Sequence, residues 1–263
     1  MRFRIRHATV YRYEHPVALG PHVFRLRPRG DNLRLDACDV SVYPGPERLE
    51  AQMDAEGNLV HAASFGGLTQ ELRVFFDSRG ETSAPASLEA LRDPAGAYLR
   101  VDPEARSVEA FAREIARVSG GETLAFLDNL NGGLHARLRN MPRLSGEPLD
   151  PEITLREGKG SCRDLAVLFI ACCRVAGVEA RFVSGYIPAQ PGDAQHMHAW
   201  AEARVPGVGW RGYDPAQGKE AGERHVAVAA AAESRGAAPI TGAFTGPATR
   251  SEMSVDLTVE MNP

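Results

Sequence analysis

The sequence predicts an α+β protein in which an N-terminal antiparallel β-sandwich precedes a mixed domain of helices and strands. Short alternating segments between turn clusters fill about the first hundred residues, as in sandwich domains. Helical periodicity then begins at Ser107, and strand-like segments return after Gly177. A chain of 263 residues can bury two cores, so we expect a β domain over residues 1–95 and a second domain over residues 96–263.

The N-terminal strands are predicted from alternation. The segment FRIRHATVYRY places Phe3, Ile5, Thr9, Tyr11 and Tyr13 on one face. Further short strands are HVFRLRPR, RLDACDVSVYP, LVHAASF and LRVFF, separated by the turn clusters PRGDN, PGPE, DAEGN and DSRGE. Many arginines lie in this part of the chain, and we expect them to form a solvated sheet face: Arg2, Arg4, Arg6, Arg12, Arg25, Arg27, Arg29 and Arg34.

The second domain begins after ETSAPASLEALRDPAGAY, where the alternation stops. Helices are predicted for SVEAFAREIARV, for TLAFLDNLNGGLHARL with an interruption at its Gly-Gly pair, and for residues 162–176, which end near Gly177. VEARFVSGY, HAWAEARV and WRGYDP are predicted strands. We expect AVAAAAESRGAAPITG to be irregular and EMSVDLTVEM to close the chain as a strand.

The composition of the chain indicates which binding partners and which cellular compartment to expect. The net charge of -4 and pI near 6.1 give no reason to expect nucleic acid or an anionic membrane as partner. No apolar run approaches the roughly 20 residues of a membrane span, and the first residues lack a signal-peptide core. We therefore expect a cytoplasmic protein, with Cys38, Cys172 and Cys173 as small core residues rather than a disulfide framework.

Cys162 is the candidate nucleophile because it follows Gly-Ser at the start of a predicted helix. Unpaired N–H groups and the helix dipole favour a thiolate there. His198 and Asp214 follow in chain order, and they supply a base and an orienting carboxylate. The backbone N–H of Cys162 is the candidate oxyanion donor, and the sequence identifies no second one.

The mutual geometry of His198 and Asp214 depends on a predicted hairpin. Their side chains share a sheet face only if an odd number of residues forms the loop, whereas PGVG suggests four, so a bulge or a five-residue loop is required. Side chains on opposite faces would remove Asp214 from the mechanism. Trp200 and Trp210 are expected to pack in the core or on the hairpin.

Other residues near these positions have simpler interpretations. His196 and His198 form H-x-H, which can bind metal, but no further ligand cluster accompanies them, so we predict neither a metal nor a cofactor. Asp164 is expected to compensate the helix dipole and Arg163 to be a solvated base.

Three blocks of this sequence resemble the bacterial transglutaminase-like superfamily, cysteine proteases related to eukaryotic transglutaminases and peptide N-glycanase. The blocks are GKGSCRDLA, ARFVSGY and HAWAEARVPGVGWRGYDP, while YRYEHPVALGPHVFRLRPR and DAEGNLVHAASF resemble the N-terminal β domain of the family. The closing segment RHVAVAAAAESRGAAPITGAF with SVDLTVEM resembles the end of the family sequences. The resemblance therefore extends over nearly the whole chain.

The resemblance implies a papain-like transglutaminase core, in which the nucleophile helix packs on an antiparallel sheet. It assigns Cys162 as nucleophile, His198 as base and Asp214 as orienting acid. Many relatives continue after the cysteine as Q-D-F-A-H, and this chain keeps only the Asp and the Ala. Eukaryotic transglutaminases use an upstream tryptophan as oxyanion donor, whereas both tryptophans here lie downstream.

The function expected from these residues is cysteine-dependent acyl transfer on amide or peptide bonds through a thioester. Hydrolysis, as in a peptidase or amidase, is the leading hypothesis, with a peptide or protein amide as substrate. A protein-crosslinking transglutaminase, a catalytically silent binding module and an acyltransferase like the arylamine acetyltransferases are the alternatives. The sequence leaves the substrate and the oligomeric state open.

Overall fold

The computed structural model describes residues 1–30, 32–84 and 107–263. It confirms the predicted α+β class, with antiparallel β structure at the N-terminus and helices packed on a second antiparallel sheet. The expected domain boundary between residues 95 and 96 lies outside the described residues. No helix in the described part of the chain is both long enough and apolar enough to cross a membrane.

The N-terminal part consists of five strands: β1 Arg2–Phe24, β2 Leu33–Tyr43, β3 Arg48–Met53, β4 Leu59–Ser64 and β5 Thr69–Thr82. The following elements are α1 Ser107–Val118, α2 Thr123–Arg137, β6 Arg139–Asn140, α3 Pro151–Glu157, β7 Lys159–Gly160, α4 Cys162–Val175 and β8 Ala180–Tyr186. The chain continues as β9 His198–Val205, β10 Gly209–Asp214, β11 Lys219–Glu220, β12 Val226–Ala231, a 3-10 turn Ser234–Ala237, β13 Ile240–Thr245 and β14 Ser251–Asn262.

The N-terminal sheet is an antiparallel sheet that curls along its longest strand. Its order is β2-β5-β1-β4-β3, and β13 and β14 also pair with β1. The first half of β1 pairs with β5 and β14, and its second half pairs with β4 and β13, with register shifts between Arg12 and Val17 and between Leu19 and His22. Two strands predicted separately are therefore one bent strand, since these shifts let a 23-residue strand serve both halves of the sheet.

The arginines at the start of β1 are paired across neighbouring strands. Arg4 contacts Asp77 at 2.6 Å, and Arg6 contacts Glu260 at 3.1 Å. These pairs lie on a partly solvated sheet face, as expected from the sequence. Exposed ion pairs of this kind each contribute little to stability.

The core sheet has the order β11-β10-β9-β8-β12 and is antiparallel throughout. Along β9, Ala199, Ala201 and Ala203 pack in the same hydrophobic cluster as Leu165 and Phe169 of α4. Small side chains at alternate positions allow the helix backbone to approach this face of the sheet closely. The alanine pattern thus places the start of α4 against the start of β9.

Two segments differ from their sequence-based expectations. The alanine-rich segment expected to be irregular contains β12, whose residues are almost all buried because it pairs with β8 and is covered on both faces. The helix expected to break at its Gly-Gly pair continues through it. A Cβ at Gly133 would lie 3.4 Å from Ile115 of α1, about an ordinary van der Waals contact, so this part of α2 packs against α1.

Asn58 joins the N-terminal sheet to the outer edge of β12. Its side chain is fully buried and pairs with both backbone groups of Ala230: the Ala230 N–H donates to Oδ1 at 2.9 Å, and Nδ2 donates to the Ala230 carbonyl at 3.0 Å. The amide therefore pairs with this edge as a neighbouring strand would, a short distance from the bridge between Arg29 and Ala227. This contact is one of several that join the N-terminal sheet to the core sheet.

Replacing Asn58 with leucine should lower the free energy of unfolding by about 2–4 kcal/mol, because two buried backbone groups of Ala230 lose their partners. Urea unfolding measures the change. The matched control is Asn262→Ala at the exposed end of β14, which should stay within about 0.5 kcal/mol of the wild type. A loss in Asn58→Leu no larger than in the control would contradict this role for the amide.

Candidate active site

Cys162 is the first residue of α4, as the sequence predicts. Ser161 precedes the helix in an extended conformation, and its carbonyl accepts the first bond of the helical ladder, from Leu165 at 3.0 Å. The N–H groups of Cys162 and Arg163 therefore lie ahead of that ladder and point out of the helix start. The thiol is half-buried and sits at the positive end of the helix dipole.

The surroundings of Cys162 favour its thiolate. Burial raises the pKa of the thiol, but hydrogen bonds from His198 and from the backbone N–H of Ala199 outweigh it, so the pKa is lowered overall. Burial instead raises the pKa of Cys172 to about 12 and raises the pKa of Cys173 well above its usual range. Two cysteines of the same helix are thus inert, while its first residue is activated.

His198 and Asp214 lie on one face of the core sheet. Gly209 pairs with Val205, so the hairpin loop contains residues 206–208, an odd number. The sequence suggested a four-residue loop, but Gly209, at φ 101°, belongs to β10. The register brings His198 Nε2 to 2.7 Å from Asp214 Oδ2, and Nδ1 is left for the thiol of Cys162.

Asp214 is a fully buried carboxylate surrounded by donors. Oδ2 accepts the N–H of His198, and Oδ1 accepts the backbone N–H groups of Ala216 at 3.1 Å and Gln217 at 3.2 Å. Burial raises its pKa, but the hydrogen bonds and charges of His198 and His225 outweigh that effect and hold the pKa of Asp214 well below its usual range. The carboxylate therefore keeps its charge inside the protein.

His198 responds to both of its neighbours. Burial lowers the pKa of the imidazole, whereas hydrogen bonds to Asp214 and Cys162, together with their charges, raise it to about 10. The two pKa shifts have the directions that favour a thiolate beside an imidazolium, with the carboxylate behind the ring. Such a charge arrangement would suit Cys162 as a nucleophile, His198 as its acid and base, and Asp214 as the carboxylate that orients the imidazole.

The sequence did not single out His225, which the structure places in this site. Its Nε2 lies 3.0 Å from Asp214 Oδ2, and its side chain is only 7% exposed. The residue stands 11 positions after Asp214, in a turn that carries no periodic pattern. The one local signal is the spacing Gly222-x-x-His225, which allows a backbone N–H to bond to the ring.

Trp200 packs between His198 and His225 as part of the core, and it does not form an exposed surface on which a substrate could stack. Its ring lies 6.3 Å from that of His198 and 5.2 Å from that of His225, and the residue is 2% exposed. A Cβ at Gly185 would lie 2.6 Å from the indole, so glycine makes room for it. Trp210 instead lies under the Arg181 guanidinium at 4.1 Å.

The helix start is tied to the loop before α3 by Asp164, which is fully buried. Oδ2 accepts the N–H and the hydroxyl of Ser161, each at 2.7 Å, and Oδ1 accepts Arg143 at 2.6 Å and the N–H of Leu149 at 2.7 Å. Arg163, expected to be a solvated base, is half-buried and donates to two carbonyls of the same loop. Both residues hold the loop against the nucleophile.

The variant Asp164→Asn should lower the free energy of unfolding by about 2–4 kcal/mol at neutral pH. The amide nitrogen that replaces one carboxylate oxygen is itself a donor, so it cannot accept the hydrogen bonds that this oxygen receives. Burial raises the pKa of Asp164, but the bonds from Leu149 and Ser161 outweigh it and lower the pKa. The carboxylate therefore stabilises the fold above about pH 4, the unfolded value, and this stability is lost as the pH falls through the folded pKa.

Urea unfolding of both proteins should consequently show a large difference at neutral pH that shrinks in acid. Glu147→Gln in the same loop is the control, because that side chain is 69% exposed. A difference that stays constant with pH would show that the Asp164 charge does not stabilise the loop.

His198, Asp214 and His225 also have the composition of a metal site, with one ligand atom from each lying within 4.8 Å of the others. Hydrogen bonds already explain this convergence: both imidazole Nε2 atoms point at Asp214 Oδ2. A cation at this position would have to displace the hydrogens from both rings. His196, the other histidine of the H-x-H pair, is exposed and is not one of these three residues.

Comparison with known proteins identifies two family regions in the chain. Residues 109–215 match the transglutaminase-like superfamily, and residues 3–81 match the bacterial transglutaminase-like N-terminal region. The two matches include Cys162, His198 and Asp214 and most of the N-terminal sheet. The chain belongs to the transglutaminase-like superfamily, in its bacterial form with the N-terminal β region.

Relatives of similar length exist in mycobacteria. The chain is 25% identical to an uncharacterized protein of Mycobacterium leprae over 99% of this chain and 98% of that protein. It is 27% identical to an uncharacterized protein of Mycobacterium tuberculosis over 100% of this chain and 93% of that protein.

A crystal structure of a "putative cysteine protease" from Cytophaga hutchinsonii has the same fold. The TM-score is 0.69 at 17% identity, over 100% of this chain and 92% of that chain. This similarity confirms that both the transglutaminase-like core and the N-terminal sheet form one known architecture.

Proposed function

We propose that the protein is a cysteine amidase or peptidase that hydrolyses an amide bond of a peptide or protein through a thioester at Cys162. The observation that carries this proposal is the opposed behaviour of the cysteines of α4. The pKa of Cys162 is lowered beside an imidazole hydrogen-bonded to a buried carboxylate, while burial raises the pKa values of Cys172 and Cys173. A scaffold that only binds has no need of this selective activation.

The proposed reaction begins when the thiolate of Cys162 attacks the amide carbonyl carbon. The carbonyl oxygen becomes an oxyanion, which the backbone N–H of Cys162 is placed to receive at the helix start. The C–N bond breaks as the imidazolium of His198 gives its Nδ1 proton to the departing nitrogen. The products of this half-reaction are a thioester and a free amine or ammonia.

In deacylation His198 acts as a base, and water attacks the thioester. Neutral His198 takes a proton from water, the hydroxyl oxygen attacks the thioester carbon, and the C–S bond breaks to give a carboxylic acid and the thiolate. Asp214 holds the imidazole through Nε2 in both steps. Water is the proposed acceptor, and an amine in its place would make the enzyme a transglutaminase, which must shelter its thioester from water.

The acceptor can be tested directly. Purified protein is incubated with a mixture of glutamine-containing and C-terminally amidated peptides, with and without a fluorescent primary amine. We expect carboxylic acid products from the wild type and none from Cys162→Ala. Incorporation of the amine in place of hydrolysis would identify a transglutaminase, and acetyl transfer from acetyl-CoA would identify an acyltransferase.

We also propose that the enzyme works in the cytoplasm. A thiolate at Cys162 must stay reduced to act, and thiol-reducing systems maintain that state in the cytoplasm. Cell fractionation with an antibody against the native protein tests this location. Recovery in a membrane or extracytoplasmic fraction would reject it.

A further inference from the structure

The turn formed by residues 222–225 presents a second imidazole to Asp214. The N–H of Gly222 donates to His225 Nδ1 at 3.1 Å, and the N–H of His225 donates back to the Gly222 carbonyl at 2.9 Å. A ring nitrogen that accepts a backbone N–H carries no hydrogen, so the hydrogen of the neutral ring is on Nε2. This nitrogen therefore donates to Asp214 Oδ2, 3.0 Å away.

We propose that His225 is a positioning residue that fixes the Asp214 carboxylate where it receives the Nε2–H of His198. The inference rests on the proposed function, because it assigns a role within the same site. Among the described residues, the hydrogen bond from His225 into the site goes to Asp214, and its ring also packs against Trp200.

The bonds at Asp214 explain why a second histidine is useful. Oδ1 is held by two N–H groups of the following turn, at Ala216 and Gln217. Among the described residues, Oδ2 receives hydrogen bonds from the two imidazoles, and one of them, His198, changes its protonation state in the proposed reaction. His225 is thus the partner that keeps Oδ2 in place while His198 changes its protonation state.

The turn that carries His225 is anchored from outside the core sheet. The hydroxyl of Thr82, at the end of β5, donates to the Glu223 carbonyl, and the N–H of Arg29 donates to the Ala227 carbonyl at 2.8 Å. Both contacts come from the N-terminal part of the chain and lie on either side of His225. The N-terminal sheet therefore supports the orientation of the acid as well as the stability of the fold.

A different role for His225 would have the opposite effect on the nucleophile. If its bond mainly withdrew charge from Oδ2, removing it would strengthen the bond from His198 and favour the imidazolium and the Cys162 thiolate. If it positions Oδ2, removing it loosens His198 and moves the thiol towards its ordinary pKa. The two roles therefore predict shifts of opposite sign.

The pH dependence of Cys162 alkylation by iodoacetamide distinguishes these roles without any substrate. In His225→Phe, which has no donor, we expect the midpoint to rise by about one pH unit, with an alkylation rate about tenfold lower on the acid side. His225→Gln, whose amide can donate near the Nε2 position, should restore most of the shift. His196→Phe, at an exposed histidine, should leave the profile unchanged.

An unchanged or lowered midpoint in folded His225→Phe would overturn the positioning role. A second measurement reads the tautomer in the wild-type protein by ring ¹⁵N NMR, with the His225 signals assigned by their absence from His225→Gln. We expect the Nε2–H tautomer, and an Nδ1–H tautomer would overturn the proposal. Failure to find amide turnover would count against the proposed function but would leave both of these results interpretable.

Discussion

Cys162→Ala should reduce kcat/KM for any amide substrate by roughly 10³-fold or more, because the nucleophile that forms the thioester is removed. Serine at this position should not restore activity, because a hydroxyl beside His198 is a far weaker nucleophile than a thiolate at neutral pH. The measurement is product formation under conditions in which the wild type turns over. Both variants should keep the wild-type unfolding midpoint to within a small shift, since Cys162 is only half-buried.

The matched control is Cys38→Ala, at a half-buried cysteine in the N-terminal sheet, where the thiol accepts a hydrogen bond from Ser78 at 3.3 Å. It should retain activity. If Cys162→Ala hydrolysed amides as fast as this control, a thioester at Cys162 could not be part of the reaction.

Asp214→Asn should lower kcat/KM by roughly 10²–10⁴-fold and narrow the active pH range from its alkaline side. Burial lowers the pKa of His198, but its bonds to Asp214 and Cys162 raise the pKa to about 10. Without the carboxylate charge the imidazolium loses its proton at lower pH. The alkaline limb of the pH–rate profile should therefore move down, and iodoacetamide should show a smaller thiolate fraction at neutral pH.

Asp256→Asn, at an exposed position on β14, is the matched control and should leave the profile in place. An alkaline limb that does not move in Asp214→Asn would mean that the 2.7 Å contact with His198 does not maintain the imidazolium. The acid would then have only a structural role in its turn.

The helix start at Cys162 could be predicted because its signals are local. Gly-Ser before the cysteine, an aspartate three residues after the serine and an apolar helical stripe all lie within one segment. The same signals could not reveal that Asp164 is buried. Its partners Arg143 and Leu149 lie in a loop whose position depends on the folded core.

The hairpin between β9 and β10 shows the limit of counting loop residues. Alternation correctly placed His198 and Trp200 on one face, but the register depended on whether Gly209 belonged to the loop or to the strand. Glycine at positive φ can do either. Only the tertiary structure decides, and it brings Asp214 to the histidine.

Pairing between distant parts of the chain explains the remaining differences between the sequence-based predictions and the structure. EMSVDLTVEM was predicted as a strand, but nothing in its sequence indicates that β14 pairs with β1 along Arg2 to Tyr13. β12 shows no alternation because both of its faces are covered. His225 was missed for a related reason: its partner Asp214 becomes a neighbour only after β12 returns to the edge of the core sheet.

The most direct test of the central claim is an ultraviolet absorbance titration of the thiolate, taken as the difference between the wild type and Cys162→Ala. The subtraction removes the signals of Cys38, Cys172 and Cys173. We expect the difference signal to be present at pH values well below about 8.5, the ordinary thiol pKa, and to be diminished at neutral pH in His198→Gln. A difference signal that appears only near the ordinary thiol pKa, and is unaffected by His198→Gln, would contradict a thiolate and imidazolium pair at Cys162 and His198.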